Sequence, residues 1–178
     1  MKEYIRQFDS YATRVVTSWP ESWRGFFALV TNLGDPVVTI GIGVVIAVLG
    51  FWQTQLRLVL AGAGIWLTLA VGSLLKLSFG RERPLTEYAA NLRIDTFSFP
   101  SGHTSGATVA YGLLAYLAWQ LLPQPWGYVV AALCVLVIIA VGVSRVYLGA
   151  HFPSDVVAGW VLGVVGLLII VFVVRPLA

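Results

Sequence analysis

Five stretches of this chain, residues 36–52, 58–75, 104–122, 128–144 and 156–174, contain no Asp, Glu, Lys or Arg. A helix that crosses a bilayer needs about 20 mostly apolar residues, with a range of roughly 17–25. Inside a bilayer each backbone polar group must be satisfied within its own segment, so these runs read as helices rather than buried strands. Composition agrees, because 58% of the 178 residues are hydrophobic and only 11% are charged, against about 25% charged in soluble domains. That excludes a cytosolic enzyme and a charge-rich nucleic-acid-binding tail. The expected fold is all-α: an integral membrane helical bundle of five spans, with a sixth, less apolar span as the alternative. Residues 1–178 read as one domain, with residues 36–178 as its transmembrane core. The links at residues 53–57 and 123–127 leave room only for tight turns. A lone Cys134 forms no intrachain disulfide and reads as a small hydrophobe.

The first 35 residues differ. Lys2, Arg6, Arg14 and Arg24 interleave with Glu3, Asp9, Glu21 and Asp35, and with Tyr4, Ile5, Phe8, Tyr11, Val15, Val16 and Trp19. The apolar residues recur at three- and four-residue steps, which predicts interfacial amphipathic helices. Trp19-Pro20 breaks the first of them, and a second runs from Glu21 toward Asn32. Positive, apolar and small-residue zones do not follow in the order of a secretory signal peptide.

Five antiparallel spans put the N-terminal region, residues 76–103 and residues 145–155 on one face. The other face keeps Arg57, Arg175 and an aromatic belt of Trp52, Trp119, Trp126 and Tyr128. Gly159 and Gly163, four apart, permit close helix packing. Chemistry collects on the first face in three blocks: Lys76 to Pro84, Pro100-Ser101-Gly102-His103, and Ser144-Arg145 followed by His151 and Asp155. Both histidines of the protein lie there. Arg81 and Arg93 read as cations reaching for headgroups. Ser101-Gly102 alone reads as a helix cap and turn.

Taken together the blocks read as a phosphate site. Ser101, Gly102 and His103 open a helix, where free N–H groups and the dipole favour an anion. Lys76, Arg83 and Arg145 surround the remaining oxygens, Arg bidentately and Lys as a point charge. A neutral imidazole attacks phosphorus when a carboxylate holds its other nitrogen as N–H, and Asp155 lies four residues after His151. Phe152 precedes Pro153 and is expected to be extended, leaving His151 just outside the helix. His103 then protonates the leaving oxygen and activates water. His103, His151 and Asp155 also form a conceivable zinc set, but the surrounding cations repel a divalent ion. No Walker-type loop supports nucleotide-driven transport. A protein that binds or transports lipid phosphates without hydrolysis is the competing reading, and it has no use for a His-Asp pair.

The spacing Lys76-x6-Arg83-Pro84, Pro100-Ser101-Gly102-His103 and Ser144-Arg145-x5-His151-x3-Asp155 resembles all three signatures of the type 2 phosphatidic acid phosphatase superfamily. Phe97-Ser98-Phe99, Val146-Tyr147-Leu148-Gly149 and Asn32-Leu33-Gly34 also resemble its bacterial membrane lipid phosphatases. The resemblance implies His151 as nucleophile through a phosphohistidine, Asp155 as its orienting partner, and His103 as acid and then base. It implies Lys76, Arg83, Ser101, Gly102 and Arg145 as phosphate binders, with no metal or organic cofactor. The implied partners are the bilayer and a lipid phosphate or pyrophosphate of the phosphatidate, phosphatidylglycerol phosphate, undecaprenyl pyrophosphate or lipid A phosphate class. Sidedness pulls two ways. Counting Lys and Arg near span ends puts the catalytic face in the cytoplasm, whereas the resemblance puts it outside. Three of those cations are accounted for by phosphate and four N-terminal ones by local acids, so the reading follows the family.

Overall fold

Pro20 lacks an N–H and disfavours helix at the residue before it, and the chain accordingly breaks after its first helix. In the computed structural model, which describes residues 2–91 and 97–175, α1 spans Lys2–Thr17 and is followed by a 3-10 turn at Glu21–Trp23. Arg93, expected at the headgroups, lies outside the described residues. α2 covers Arg24–Asn32 and α3 covers Pro36–Trp52. The start of α3 has proline at its first position and Asp35 as cap, its Oδ1 accepting from the Val37 N–H at 2.8 Å. Then come α4 (Leu56–Phe79), the short α5 (Glu87–Asn91), α6 (Gly102–Leu121), α7 (Trp126–Tyr147) and α8 (Pro153–Val174). No strand occurs among the described residues.

Among the described residues, four helical stretches are long and apolar enough to cross a membrane: Glu21–Trp52, Leu56–Phe79, Trp126–Tyr147 and Pro153–Val174. The helix over the fifth expected run, α6, is 20 residues long but carries Thr104, Ser105 and Thr108 in its first half, all buried. α6 packs against α3, α4, α7 and α8. A helix enclosed by other helices is freed from the apolarity that lipid demands of its neighbours.

Lipid tails are as apolar as leucine, so helix association in a membrane depends on close packing more than on burial from water. α6 and α8 show how closely. A Cβ at Gly159 would lie 2.8 Å from the Ser101 carbonyl oxygen and 2.8 Å from the Thr104 Cβ. One at Gly163 would strike Thr108. The glycine pair is therefore a packing surface. Ile46, Ile65, Val109, Leu113 and Ile170 fill the seam where α3, α4, α6 and α8 meet. Outward, Val45, Leu67, Leu136, Leu168 and Phe172 are exposed, more apolar surface than a soluble monomer shows.

The first 35 residues pack onto this bundle. α1 lies against α7 and α8, with Phe8, Ala12 and Val16 opposite Val143, Val156 and Trp160 across a small apolar cavity. α2 packs along α7, where the Phe27 ring sits 4.5 Å from that of Tyr147. The Tyr147 hydroxyl donates to the Pro20 carbonyl at 2.7 Å. Phe27 and Thr31 are buried as a result.

Candidate active site

Two chain reversals at one end of the bundle build the site. After α4 the segment 81–84 is pinned by Ser98, whose N–H donates to the Arg81 carbonyl at 2.7 Å and whose hydroxyl donates to the Glu82 carbonyl at 2.9 Å. The Lys76 ammonium, on the last turn of α4, donates to the Phe97 carbonyl at 2.8 Å. After α7 the chain turns at Gly149, whose φ of +74° is a left-handed conformation that glycine adopts without strain. A Cβ there would also lie 2.8 Å from the Thr86 side chain. The turn lets the Ala150 and His151 N–H groups both donate to the Arg145 carbonyl, at 2.9 and 3.1 Å. His151 is thereby folded back beside the residue that closes α7. Phe152 is extended (φ −75°, ψ 152°) ahead of Pro153, as its place before proline predicts.

These reversals enclose a cavity of about 500 Å³. Lys76, Arg83, Gly102, His103, Arg145 and His151 line one side; Val37, Ile40 and Leu69 line another. Six of the eight residues singled out from the sequence thus share one space. Asp155 and Ser101 do not line it. Both are fully buried behind it. The Ser101 hydroxyl accepts from the Thr104 hydroxyl at 2.9 Å and caps α6, and its N–H donates to the Asp155 carbonyl at 3.0 Å. The Ser101 oxygen thus serves as a helix cap behind the cavity.

His151 is 3% exposed and faces two ways. Its Nδ1 lies 3.5 Å from Asp155 Oδ2, an electrostatic contact longer than a formed hydrogen bond. Its Nε2 lies 3.3 Å from Arg83 Nη1. A guanidinium only donates, so that contact assigns the bare lone pair to Nε2 and the proton to Nδ1. Burial pushes the His151 pKa down to about 4; the Asp155 carboxylate opposes this, and Arg145, Arg83 and Lys76 add to it. The imidazole is neutral at physiological pH. Burial also lowers the Arg83 pKa, with Asp155 opposing. Arg83 further donates to the Ala150 carbonyl at 3.2 Å.

Arg145 is 1% exposed. Its Nη1 donates to the Thr31 hydroxyl at 2.7 Å, and its guanidinium carbon lies 5.9 Å from the centre of the Tyr88 ring. The buried Nε has no hydrogen-bond partner among the described residues. An orphaned buried donor is costly, and one that borders a cavity among other cations is suited to an incoming anion. Among the described residues, no hydrogen bond fixes the His103 ring.

Arg81 corrects the sequence reading. Rather than reaching for headgroups, it donates from Nη1 to Asp155 Oδ1 and to the Ser154 hydroxyl, and from Nη2 to Asp9 Oδ2, each at 2.7 Å. Two carboxylates from distant parts of the chain converge on it, which outweighs the pull of solvent or lipid phosphate. Asp9, Thr31, Asp35, Tyr88 and Ser154 were likewise invisible as site neighbours. Asp9 falls on the polar stripe of an amphipathic helix, where a buried acid and a solvated one leave the same pattern. Asp35 read as one more charge of the N-terminal region, yet it caps α3 and borders the cavity.

A family model described as PAP2 superfamily matches residues 57–177. The chain is 35% identical over 125 residues to phosphatidylglycerophosphatase B of Bacillus subtilis, covering 60% of each protein. It is 35% identical over 106 residues to the decaprenylphosphoryl-5-phosphoribose phosphatase of Mycobacterium tuberculosis, covering 58% of this chain and 53% of that protein. The chain therefore spans little more than half the length of these curated relatives. The solved structure of a transmembrane PAP2-type phosphatidylglycerolphosphate phosphatase from Bacillus subtilis superposes with a TM-score of 0.84 at 24% identity, over 98% of this chain and 90% of that one. That likeness carries the fold, and with the apolar helices it makes this a multi-pass membrane protein. With all three motifs inside the matched stretch and gathered at one end of that fold, the chain belongs to the PAP2 superfamily.

Proposed function

We propose that this chain is a membrane phosphatase that hydrolyses a phosphate monoester or pyrophosphate on a lipid through a phosphohistidine at His151. The orientation of the His151 ring carries the reading: Nδ1 turns to Asp155 while a bare Nε2 faces the cation-lined cavity beside Arg83. The Nε2 lone pair forms a bond to phosphorus as the bond to the lipid oxygen breaks, and His103 gives that oxygen a proton. His103 then takes a proton from water, the water oxygen bonds to phosphorus, and the P–N bond breaks to release phosphate. Lys76, Arg83, Arg145 and the N-terminal amides of α6 at Gly102 balance the charge on the phosphoryl oxygens. These three cations do the electrostatic work that a metal does elsewhere and oppose the entry of a divalent ion. The apolar side of the cavity, Val37 and Ile40 from α3 and Leu69 from α4, suits an acyl or prenyl tail leaving toward the bilayer. Phosphatidate, phosphatidylglycerol phosphate and undecaprenyl pyrophosphate all fit this description, and the relatives are named for substrates of the lipid phosphate class.

In the same reading residues 1–178 act as one unit with α6 as a fifth span. At a rise of about 1.5 Å per residue, its 20 residues match the hydrocarbon thickness. An odd number of spans puts α1 on the catalytic side, in accord with its Asp9 meeting Arg81 and Ser154. That side is the extracytoplasmic one. Leu85→Cys, with Cys134 replaced by alanine, is expected to react with an impermeant thiol reagent in intact cells; labelling only after lysis overturns the orientation.

The functional test is phosphate release by the purified protein from a panel of these lipids, with EDTA present, alongside acid-quench trapping of phosphoenzyme. Release without added metal and an acid-labile phosphohistidine are expected. Binding of the lipids without release would favour the carrier reading, and loss on chelation restored by one divalent ion would favour a metal mechanism.

A further inference from the structure

We infer that Arg81, held by Asp9 of the N-terminal helix, is a positioning residue that sets the orientation and charge of Asp155 and through it the protonation of His151. The inference rests on the phosphohistidine reading for its kinetic arm only. Asp155 is fully buried, and its two oxygens have different partners. Oδ2 accepts from the Phe152 N–H at 3.0 Å and lies 3.5 Å from His151 Nδ1. Oδ1 accepts from Arg81 at 2.7 Å. The backbone amide and the guanidinium together fix the plane of the carboxylate, and so the direction in which Oδ2 meets the imidazole.

Arg81 is itself immobilised. Its carbonyl accepts from Ser98, its guanidinium carbon lies 4.3 Å from the centre of the Phe152 ring, and its Nη2 is taken by Asp9. Asp9 is 4% exposed and also accepts from the Ser154 N–H and hydroxyl, both at 2.8 Å. A single carboxylate on α1 thus ties the first turn of α8 to the Arg81 fork. A buried charge with three such contacts goes beyond what docking an amphipathic helix requires, since Phe8, Ala12 and Val16 already supply an apolar contact.

Arg81 also tunes charge. Lys76 from α4, Arg83 beside α4, His103 from α6 and Arg145 from α7 face the His151–Asp155 pair from the cavity side. Asp35, at the start of α3, faces the same cavity; Glu82 and, from α1, Arg6, Asp9 and Arg14 border the opening on the other side of Arg83. Arg81 is the cation bonded directly to Asp155. Removing it leaves the carboxylate's charge less compensated and removes a repulsion from the imidazole. Both effects favour protonated His151, so the pH below which the nucleophile is lost must rise.

Two measurements test this on the full-length protein. In the first, ¹⁵N-labelled imidazole spectra are titrated with pH; the chain has two histidines, and His103→Asn assigns them. His151 is expected to titrate near pH 4 in the wild type and higher by about one pH unit in Arg81→Ala. In the second, phosphohistidine formation is followed in a single turnover. Arg81→Ala is expected to slow it about 10- to 100-fold and to raise the pH of its acid limb. Arg81→Lys should restore the limb but only part of the rate, because an ammonium keeps the charge and loses the fork across two carboxylates. Asp9→Asn should slow the step less than Arg81→Ala. If Arg81→Ala fails to fold, Arg81→Gln carries the same two measurements. An unmoved His151 titration in a folded neutral variant, whatever its rate, overturns the inference. Absence of phosphohistidine in the wild type sinks the mechanism instead, and the titration still decides the role of Arg81.

Discussion

The two ends of the bundle carry the same kind of residue to opposite fates. Arg145 closes α7 and is 1% exposed, with one N–H on Thr31 and its Nε orphaned at the cavity. Arg57, in the first turn of α4, is exposed and donates to the carbonyl of Arg175. Both flank an apolar helix, where snorkelling to headgroups is the default. The difference lies in what the chain does next. At the far end, residues 53–55 and 122–125 turn at once and leave nothing to cover a charge. At the near end, residues 80–91, 97–101 and 148–152 fold back over the helix ends, and α1 and α2 pack beside them. Enclosure removes water from several cations at once, a cost that is recovered only when an anion arrives.

The sharpest way to break this contrast is to remove the proposed nucleophile of the enclosed end. His151→Ala is expected to abolish phosphoenzyme formation and to lower phosphate release by at least about 10³-fold, while the protein remains folded by circular dichroism. Near-normal release would show that the enclosed cluster only binds. Next in size is Arg145→Lys. An ammonium cannot reach Thr31 and present a fork to phosphate together, so kcat/KM should fall about 10²-fold and inhibition by vanadate should weaken in parallel. Smallest is Arg57→Gln, whose effect on kcat/KM and on thermal stability should stay within about 0.5 kcal/mol. A loss as large as that of Arg145→Lys would mean that the far end also participates, and the contrast would fail.

Much of the architecture was legible because the bilayer imposes local rules. Charge-free runs, the break at Pro20, the start at Pro36 and the extended Phe152 each act within a few residues, and each appears where the sequence puts it. α6 is the instructive exception, since its Ser and Thr residues lower its apolarity while its neighbours shield it. Site residues with unusual chemistry were also legible: Lys76, Arg83, His103, Arg145 and His151 stand out against an apolar background, and the structure brings them to one cavity.

What the sequence by itself determined is the set of membrane-type helices and the identity of the cations and imidazoles at their ends. Only tertiary structure decided which charges face the cavity and which stand behind it. Ser101 and Arg81 show why. A serine at a helix start serves a ligand or its own helix equally well, and the fold sets this one behind the cavity with its oxygen capping α6. An arginine at a helix end serves lipid or protein equally well, and two carboxylates 146 residues apart in the chain, Asp9 and Asp155, settled that. Hydrogen bonds across such separations leave no periodic trace in the chain. They are written only in the packing of α1 and α8 on either side of the segment that follows α4.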